Sequence, residues 1–400
     1  MPQTFVFSTY GARGDVFPYL AIARELQNRG HRALVATSES YRREIEKRGL
    51  EFRAIRPDAP SGDDAQKMMH PINGTEFLFR RLLLPALRDS IADLRAVAVG
   101  SDVLISHTTS LAGPIVAEME RNRGLKWASS AVSPLSLLQN DVALPALPRA
   151  VDFPILNRAV LELLRRQFGM HLKETQHIRA ELGLSRGDNA LWSDAHSPQL
   201  QLCLWDERFA PVSGMEARRA VGFCFLADET PLSPEIEDFL SEGEAPIAFV
   251  VASFSDEWHW QVESIAAAEM QGKRALFLGG AKFSRGESDL FAPFAPLAPI
   301  LPRCAALVHQ GGIGTLALGL RAGLPMLLCP HSHDQPDNAR RAQKLGLARV
   351  LAPKNYRAAN VAHEIGVLLR DEEITARLNQ WRGLQNGSAN AADELEQFAN

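Results

Sequence analysis

Long apolar runs are missing from this 400-residue chain. Nowhere do roughly 18 apolar residues follow one another, the length a helix needs to cross a bilayer. That excludes a spanning helix and leaves a soluble protein, or one that touches a membrane from outside. Cysteine is scarce too. Cys203, Cys224, Cys304 and Cys329 each sit in an apolar, strand-like run, and no two share metal-ligand or redox-motif spacing. They are expected to be buried, reduced thiols. Positive charge is not in excess, with 43 Lys and Arg against 47 Asp and Glu and a net charge of −4. A nucleic-acid partner would want a concentrated basic surface, so none is expected. The first residues carry no basic leader and run directly into a strand, which predicts a cytoplasmic protein without a signal peptide.

What the sequence does have is a repeated alternation of strand and helix. Thr4 to Thr9 reads as a strand. A helix follows from Pro18, with Leu20, Ile22, Ala23 and Leu26 as its apolar face and Gly30 as its stop, and His31 to Ala36 is a second strand. Such a βαβ unit implies a parallel sheet with a right-handed crossover. The pattern recurs with strands at Glu51 to Ile55, Val103 to Ser106, Lys126 to Val132, Leu200 to Leu204 and Ala220 to Phe225. It breaks from Ser133 to Ser197, where prolines punctuate loops and one long helix is predicted over Asn157 to Glu181. Ala227 to Pro246, rich in proline, serine and acidic residues, reads as an interdomain linker. A second winding then begins at Ile247, with a loop through Phe294, Ala295 and Pro296 and helices from Asn360 to Leu384.

The most informative stretch is Ala305 to Ala339. A short apolar strand leads into His309, Gln310, Gly311, Gly312, Ile313, Gly314 and Thr315; a helix follows and stops at Gly323 with Pro325 just beyond. Glycines at a helix start let a ligand approach backbone N–H groups at the positive end of the dipole, which suits phosphate. Asp334 and Gln335 lie in the polar loop after the next strand and could satisfy sugar hydroxyls, which need both donors and acceptors. This stretch resembles the donor-binding signature of the GT-B-fold glycosyltransferases of family 1, and within them the bacterial rhamnolipid-type, glycopeptide, macrolide and sterol subgroup.

The resemblance implies an α/β fold of two doubly wound Rossmann-like domains facing across a cleft. The first, 1–226, would bind the acceptor. The linker 227–246 would lead to a nucleotide-sugar domain, 247–385, and a last helix, 386–400, would pack back on the first domain. It also implies a donor site of His309, Gly311, Gly312, Gly314, Thr315, Asp334 and Gln335, joined by Gly14, by Ser253 near the diphosphate and by Phe294 and Ala295 at the base. Here the chain departs from the family, having Ala252 where a glycine is usual and Phe294 in place of tryptophan. The co-substrate would be a UDP- or dTDP-sugar. No Asp-x-Asp pair occurs, so no cofactor or metal is expected and inversion at the anomeric carbon is.

Asp15, in Gly14-Asp15-Val16-Phe17-Pro18, stands where many family members carry a histidine base. It is the candidate general base, with capping of the helix at Pro18 as the alternative. His107, ending the Val103 strand, could orient Asp15, serve as the base itself, or be a satisfied loop histidine. The expected acceptor is a hydrophobic small molecule or lipid. Phe77 to Leu84 is an acceptor-pocket helix or, alternatively, a peripheral membrane contact. Two other functions are carried alongside: a nucleotide-sugar-binding partner without chemistry, and an NAD-dependent oxidoreductase. The second is disfavoured because no acidic residue ends the strand at Cys329.

Overall fold

The computed structural model describes every residue except 146, 228–229, 251–256, 280–282 and 294. The chain divides into two compact units: Met1–Leu226 with Gln385–Asn400, and Ala227–Leu384. Each is a parallel sheet flanked by helices.

In the first unit, β1 (Thr4–Ser8), β2 (Arg32–Thr37), β3 (Glu51–Ala54), β4 (Val103–His107), β5 (Lys126–Ala131), β6 (Gln201–Cys203) and β7 (Arg218–Ala220) form one sheet in the order β3-β2-β1-β4-β5-β6-β7. The neighbours of β1 are in direct register with it, Phe5 against Ala33 on one side and Val103 on the other. Successive side chains of β1 point to opposite faces. Phe5 and Phe7 enter a core with Val16, Leu20 and Leu26 of α1 (Arg13–Asn28), whereas Val6 enters a second core with Ile91, Leu94 and Val116. The first core is completed by the end of the chain. Ala391, Ala392 and Leu395 of helix Ser388–Ala399 are fully buried in it, and Arg29 binds Asp393 at 2.6 Å and Glu396 at 2.7 Å.

The second unit has β8 (Ile247–Val250), β9 (Ala275–Leu278), β10 (Ser284–Arg285), β11 (Asp289–Ala292), β12 (Ala306–His309), β13 (Met326–Leu328) and β14 (Ala348–Val350), in the order β10-β11-β9-β8-β12-β13-β14, with only β10 antiparallel to its neighbour.

Four expectations need correction. Residues 227–246 are not a bare linker: Ser233 caps a helix, Pro234–Ser241, whose Ile236 and Phe239 are buried in the second unit with the Arg274 guanidinium over the Phe239 ring. The long helix of the broken region is two, α2 (Pro154–His171) and Lys173–Glu181, separated where Leu172 turns into the core. The strand expected at Ala220 to Phe225 ends at Ala220, because Gly222 takes φ +93° against Gly387 and leaves the extended region. The loop expected before Phe294 contains β10 and β11, each too short to show a period.

Candidate functional site

Parallel sheets bind ligands beyond the carboxyl ends of their strands, where the strand order reverses. In the first unit the reversal lies between β1 and β4, and these strands deliver Asp15 and His107 respectively. In the second it lies between β8 and β12. β8 leads towards Ser253, which, like Phe294, is outside the described residues; β12 ends in His309.

Helix α1 begins at Arg13, not at Pro18, which lies inside it. Asp15 is its third residue, and Asp15 Oδ2 accepts the Ala12 N–H at 2.9 Å. A capping role for Asp15 is therefore present, one turn earlier than the sequence suggested. The carboxylate lies against Gly11, where a Cβ would stand 2.3 Å from Oδ2. Gly14 has ordinary φ and nothing within 4 Å of where its Cβ would be, so neither turn geometry nor packing calls for a glycine there. It leaves open space over the first turn.

His107 is buried, and a chain of hydrogen bonds sets its tautomer. The Thr109 hydroxyl donates to the Tyr10 carbonyl at 2.8 Å, so it must accept from His107 Nδ1, 2.6 Å away. The proton then sits on Nδ1, and Nε2, a buried acceptor, has no hydrogen-bond partner among the described residues. Burial pushes the His107 pKa down to about 4, against a smaller upward pull from the Tyr10 carbonyl. The Tyr19 ring links the two candidates: it meets the His107 ring edge-on at 6.0 Å, and burial, with the Asp15 charge adding to it, holds its phenol well above the usual range.

At the end of β12 the polarity of the histidine is reversed. His309 Nδ1 accepts the Gly311 N–H at 3.1 Å, so the neutral ring carries its proton on Nε2. That nitrogen is buried and also without a hydrogen-bond partner among the described residues, and burial pushes the pKa down to about 3. An unpaired buried donor costs about 1–3 kcal/mol, which an anionic oxygen would offset. Gly311 takes φ +88°, and a Cβ there would lie 3.2 Å from the Gln335 carbonyl oxygen. Helix α3 (Ile313–Ala322) then starts from Gly312, which has no side chain to cap it; the Asp334 carboxylate takes the Ile313 N–H, and the following first-turn amides are left for a ligand. Gly314 and Thr315 lie in that turn, and both are half-buried.

Helix α4 (Gln335–Lys344) closes the site from the other side. Asn338 is the residue whose part the sequence did not disclose. Its Nδ2 donates to the Gly311 carbonyl at 3.0 Å and to Asp334 Oδ2 at 2.7 Å, tying the glycine turn to the acidic loop. Burial pushes the Asp334 carboxyl up to about 6, moderated by the Asn338 amide and the Ile313 N–H. Asp334 is thus brought to the start of α3. Gln335 faces inward: its Oε1 accepts the His331 and Ser332 amides at 2.9 and 3.1 Å and its Nε2 donates to Gln310 Oε1 at 3.4 Å, so it holds the loop and has at most its second N–H for a ligand. Ala295 is buried just ahead of helix Leu297–Ile300.

The apolar side chains of the loops before α2 are core: Leu137, Val142 and Leu144 are buried, the last two in a small cluster with Leu161. A cavity of about 590 Å³ nearby has a mixed lining, with Leu138 and Pro211 beside Gln139, Asn140, Asp141 and Ser213. All four cysteines are free thiols. Among the described residues no group of side chains is arranged to hold a metal ion, and no helix is long and apolar enough to cross a membrane.

Residues 5–124 match the family model for the glycosyltransferase family 28 N-terminal domain, and residues 290–390 match that for the erythromycin biosynthesis protein CIII-like C-terminal domain. The chain is 28% identical to an O-mycaminosyltylonolide 6-deoxyallosyltransferase of Streptomyces fradiae over 98% of its own length and 96% of the relative's. Among solved structures it is similar to the glycosyltransferase of kitacinnamycin, with a TM-score of 0.72 and 18% identity over the whole of both chains. It is also similar to the glycosyltransferase VinC in complex with dTDP, with a TM-score of 0.70 and 15% identity over 99% of each.

Proposed function

Because the chain belongs to the GT-B glycosyltransferases of family 1, we propose that it transfers a sugar from a dTDP- or UDP-sugar to a hydroxyl of a hydrophobic small molecule or lipid, with inversion and without a metal ion. The observation that carries the donor half is the buried His309, whose Nε2–H has no hydrogen-bond partner among the described residues and which precedes a helix whose N-cap is a glycine without a side chain. Both features suit a diphosphate. The dTDP complex of a structurally similar enzyme supports the same class of donor. The hydrophobic acceptor rests on the macrolide substrate in the relative's name, since this chain's apolar loops are occupied by their own packing.

In the proposed reaction the acceptor oxygen forms a bond to the anomeric carbon as the bond to the diphosphate oxygen breaks on the opposite face. The hydroxyl proton passes to Asp15. His107 Nε2, fixed as an acceptor, orients that hydroxyl; burial lowers its pKa to about 4 and makes it a weak base near neutrality, and the half-buried Asp15 is the more accessible of the two. Negative charge gathering on the leaving diphosphate is met by the first-turn amides of α3, the Thr315 hydroxyl and His309 Nε2–H. Asp334 accepts hydrogen bonds from the sugar, and the second N–H of Gln335, beside the one given to Gln310, can donate one.

The test is a thermal-shift screen with dTDP, UDP, GDP and NAD, with and without chelator, followed by the anomeric configuration of the product. Binding of dTDP or UDP raises the melting temperature. Loss of turnover in chelator, a retained anomeric configuration, or stabilisation by NAD alone would overturn the reading.

A further inference from the structure

Of the fourteen large apolar side chains exposed among the described residues, six lie in one short stretch from Leu147 to Met170. Ile155 is 89% exposed, Leu163 65% and Met170 59%. Helix α2 explains the arrangement. Its inner side carries the buried Asn157 and Leu161, with Val160 and Leu164 packed beside them. On the outer side Ile155, Ala159, Leu163, Arg166 and Met170 follow one another at three- or four-residue intervals, a stripe roughly 22 Å long. A convex stripe on one helix cannot enclose a small molecule, so its partner is a broad surface. Patches of this kind are uncommon on free protein surfaces.

Charge indicates which surface. Residues 147–173 hold five cations, Arg149, Arg158, Arg165, Arg166 and Lys173, against two carboxylates, Asp152 and Glu162, in a chain whose net charge is −4. Glu162, Arg158 and Arg165 follow in that order away from one edge of the stripe and Arg166 lies within it; Arg165 also pairs with Asp188 at 2.9 Å, and Arg166 with Glu162 at 3.0 Å. The stretch Phe77 to Leu84 does not compete for this role, because its Phe79 and Leu83 are buried. We propose that the outer face of α2 docks on an anionic lipid surface, its apolar stripe entering the headgroup boundary and its arginines meeting lipid phosphates. The proposal does not depend on the chemistry proposed above.

The full chain is sedimented with vesicles of phosphatidylcholine alone and of phosphatidylcholine with phosphatidylglycerol, at low and high salt. Binding to the anionic vesicles is expected to be about tenfold stronger, to weaken with salt, and to fall about tenfold in the double variant Ile155→Glu, Leu163→Glu. Both positions are exposed, so the variant's melting temperature and its response to dTDP and UDP should match the wild type. Equal sedimentation of variant and wild type, or no vesicle binding at all, would overturn the proposal. So would a concentration-dependent dimer that the double variant dissolves, since the stripe would then belong to a second copy.

Discussion

Asp15 holds two roles that one substitution can separate. Its carboxylate accepts the Ala12 N–H, and asparagine can do the same with its amide oxygen, but asparagine cannot take a proton. Asp15→Asn is therefore expected to keep its melting temperature while kcat falls about 10²–10⁴-fold, as for loss of a positioned base. A variant with wild-type turnover would remove Asp15 from the reaction. Gly11 offers an independent check, because the Cβ of an alanine there would stand 2.3 Å from Asp15 Oδ2 at φ +145°. Gly11→Ala should lower turnover with the carboxylate still present, and steady-state kinetics beside a folded-state spectrum would show it. The place of Asp15, just after the first strand, was legible in the sequence. Its capping of a helix begun at Arg13 was not, because the N-cap is Ala12 and no capping residue announces the start.

At the scale of elements, the glycine turn and the α4 loop act as one piece through Asn338. Asn338→Ala removes the bond to the Gly311 carbonyl and one of the interactions holding the Asp334 pKa down. The expected result is a raised donor KM with kcat less affected, and an acidic limb of kcat/KM for donor that moves from about 6 to higher pH. In the wild type, donor affinity is expected to fall as the pH drops through about 6, because the ionised Asp334 is the stronger acceptor for sugar hydroxyls. Asp337 and the Ile313 amide face the same carboxylate with opposite effects, and His331 and His333 share its loop. An unchanged profile in the variant would separate Asn338 from Asp334. The strand, turn and helix from Ala306 to Ala322 could be read locally, since apolar run, glycines and stop signal are all adjacent in sequence. The clamp could not, because residues 311 and 338 meet only through the tertiary fold. For the same reason a segment rich in acidic residues and proline looked like a linker, although Ile236 and Phe239 find a core.

For the whole molecule, acid stability is decided by buried histidines. His107, His196 and His309 are pushed down to about 4, 4 and 3 by burial. A depressed histidine is neutral in the folded chain but protonates on unfolding, so stability is lost as pH falls below the unfolded value near 6.5. Each contributes about 1.4 kcal/mol per pH unit well below that value. Asp334 acts the other way. Raised to about 6, it binds its proton more readily in the fold, and this contribution favours the folded chain as the pH drops below about 6. Burial raises the Asp289 carboxyl as well, and between pH 7 and 5 the three histidines outweigh these two carboxylates. The melting temperature should therefore fall between pH 7 and 5, and more shallowly in His196→Gln, which lies away from the proposed chemistry; scanning calorimetry of both would check this. The two windings were legible at this scale because alternating strands and helices leave a mark along the whole chain.

The burial of Ala391, Ala392 and Leu395 among residues of β1 and α1 also has a consequence in time. A ribosome releases the amino-terminal half long before it makes the helix that completes its core. Until then the second unit has already been threaded out, so the half built first is the half finished last, and a nascent chain must shelter Phe5, Phe7 and Leu26 in the interval.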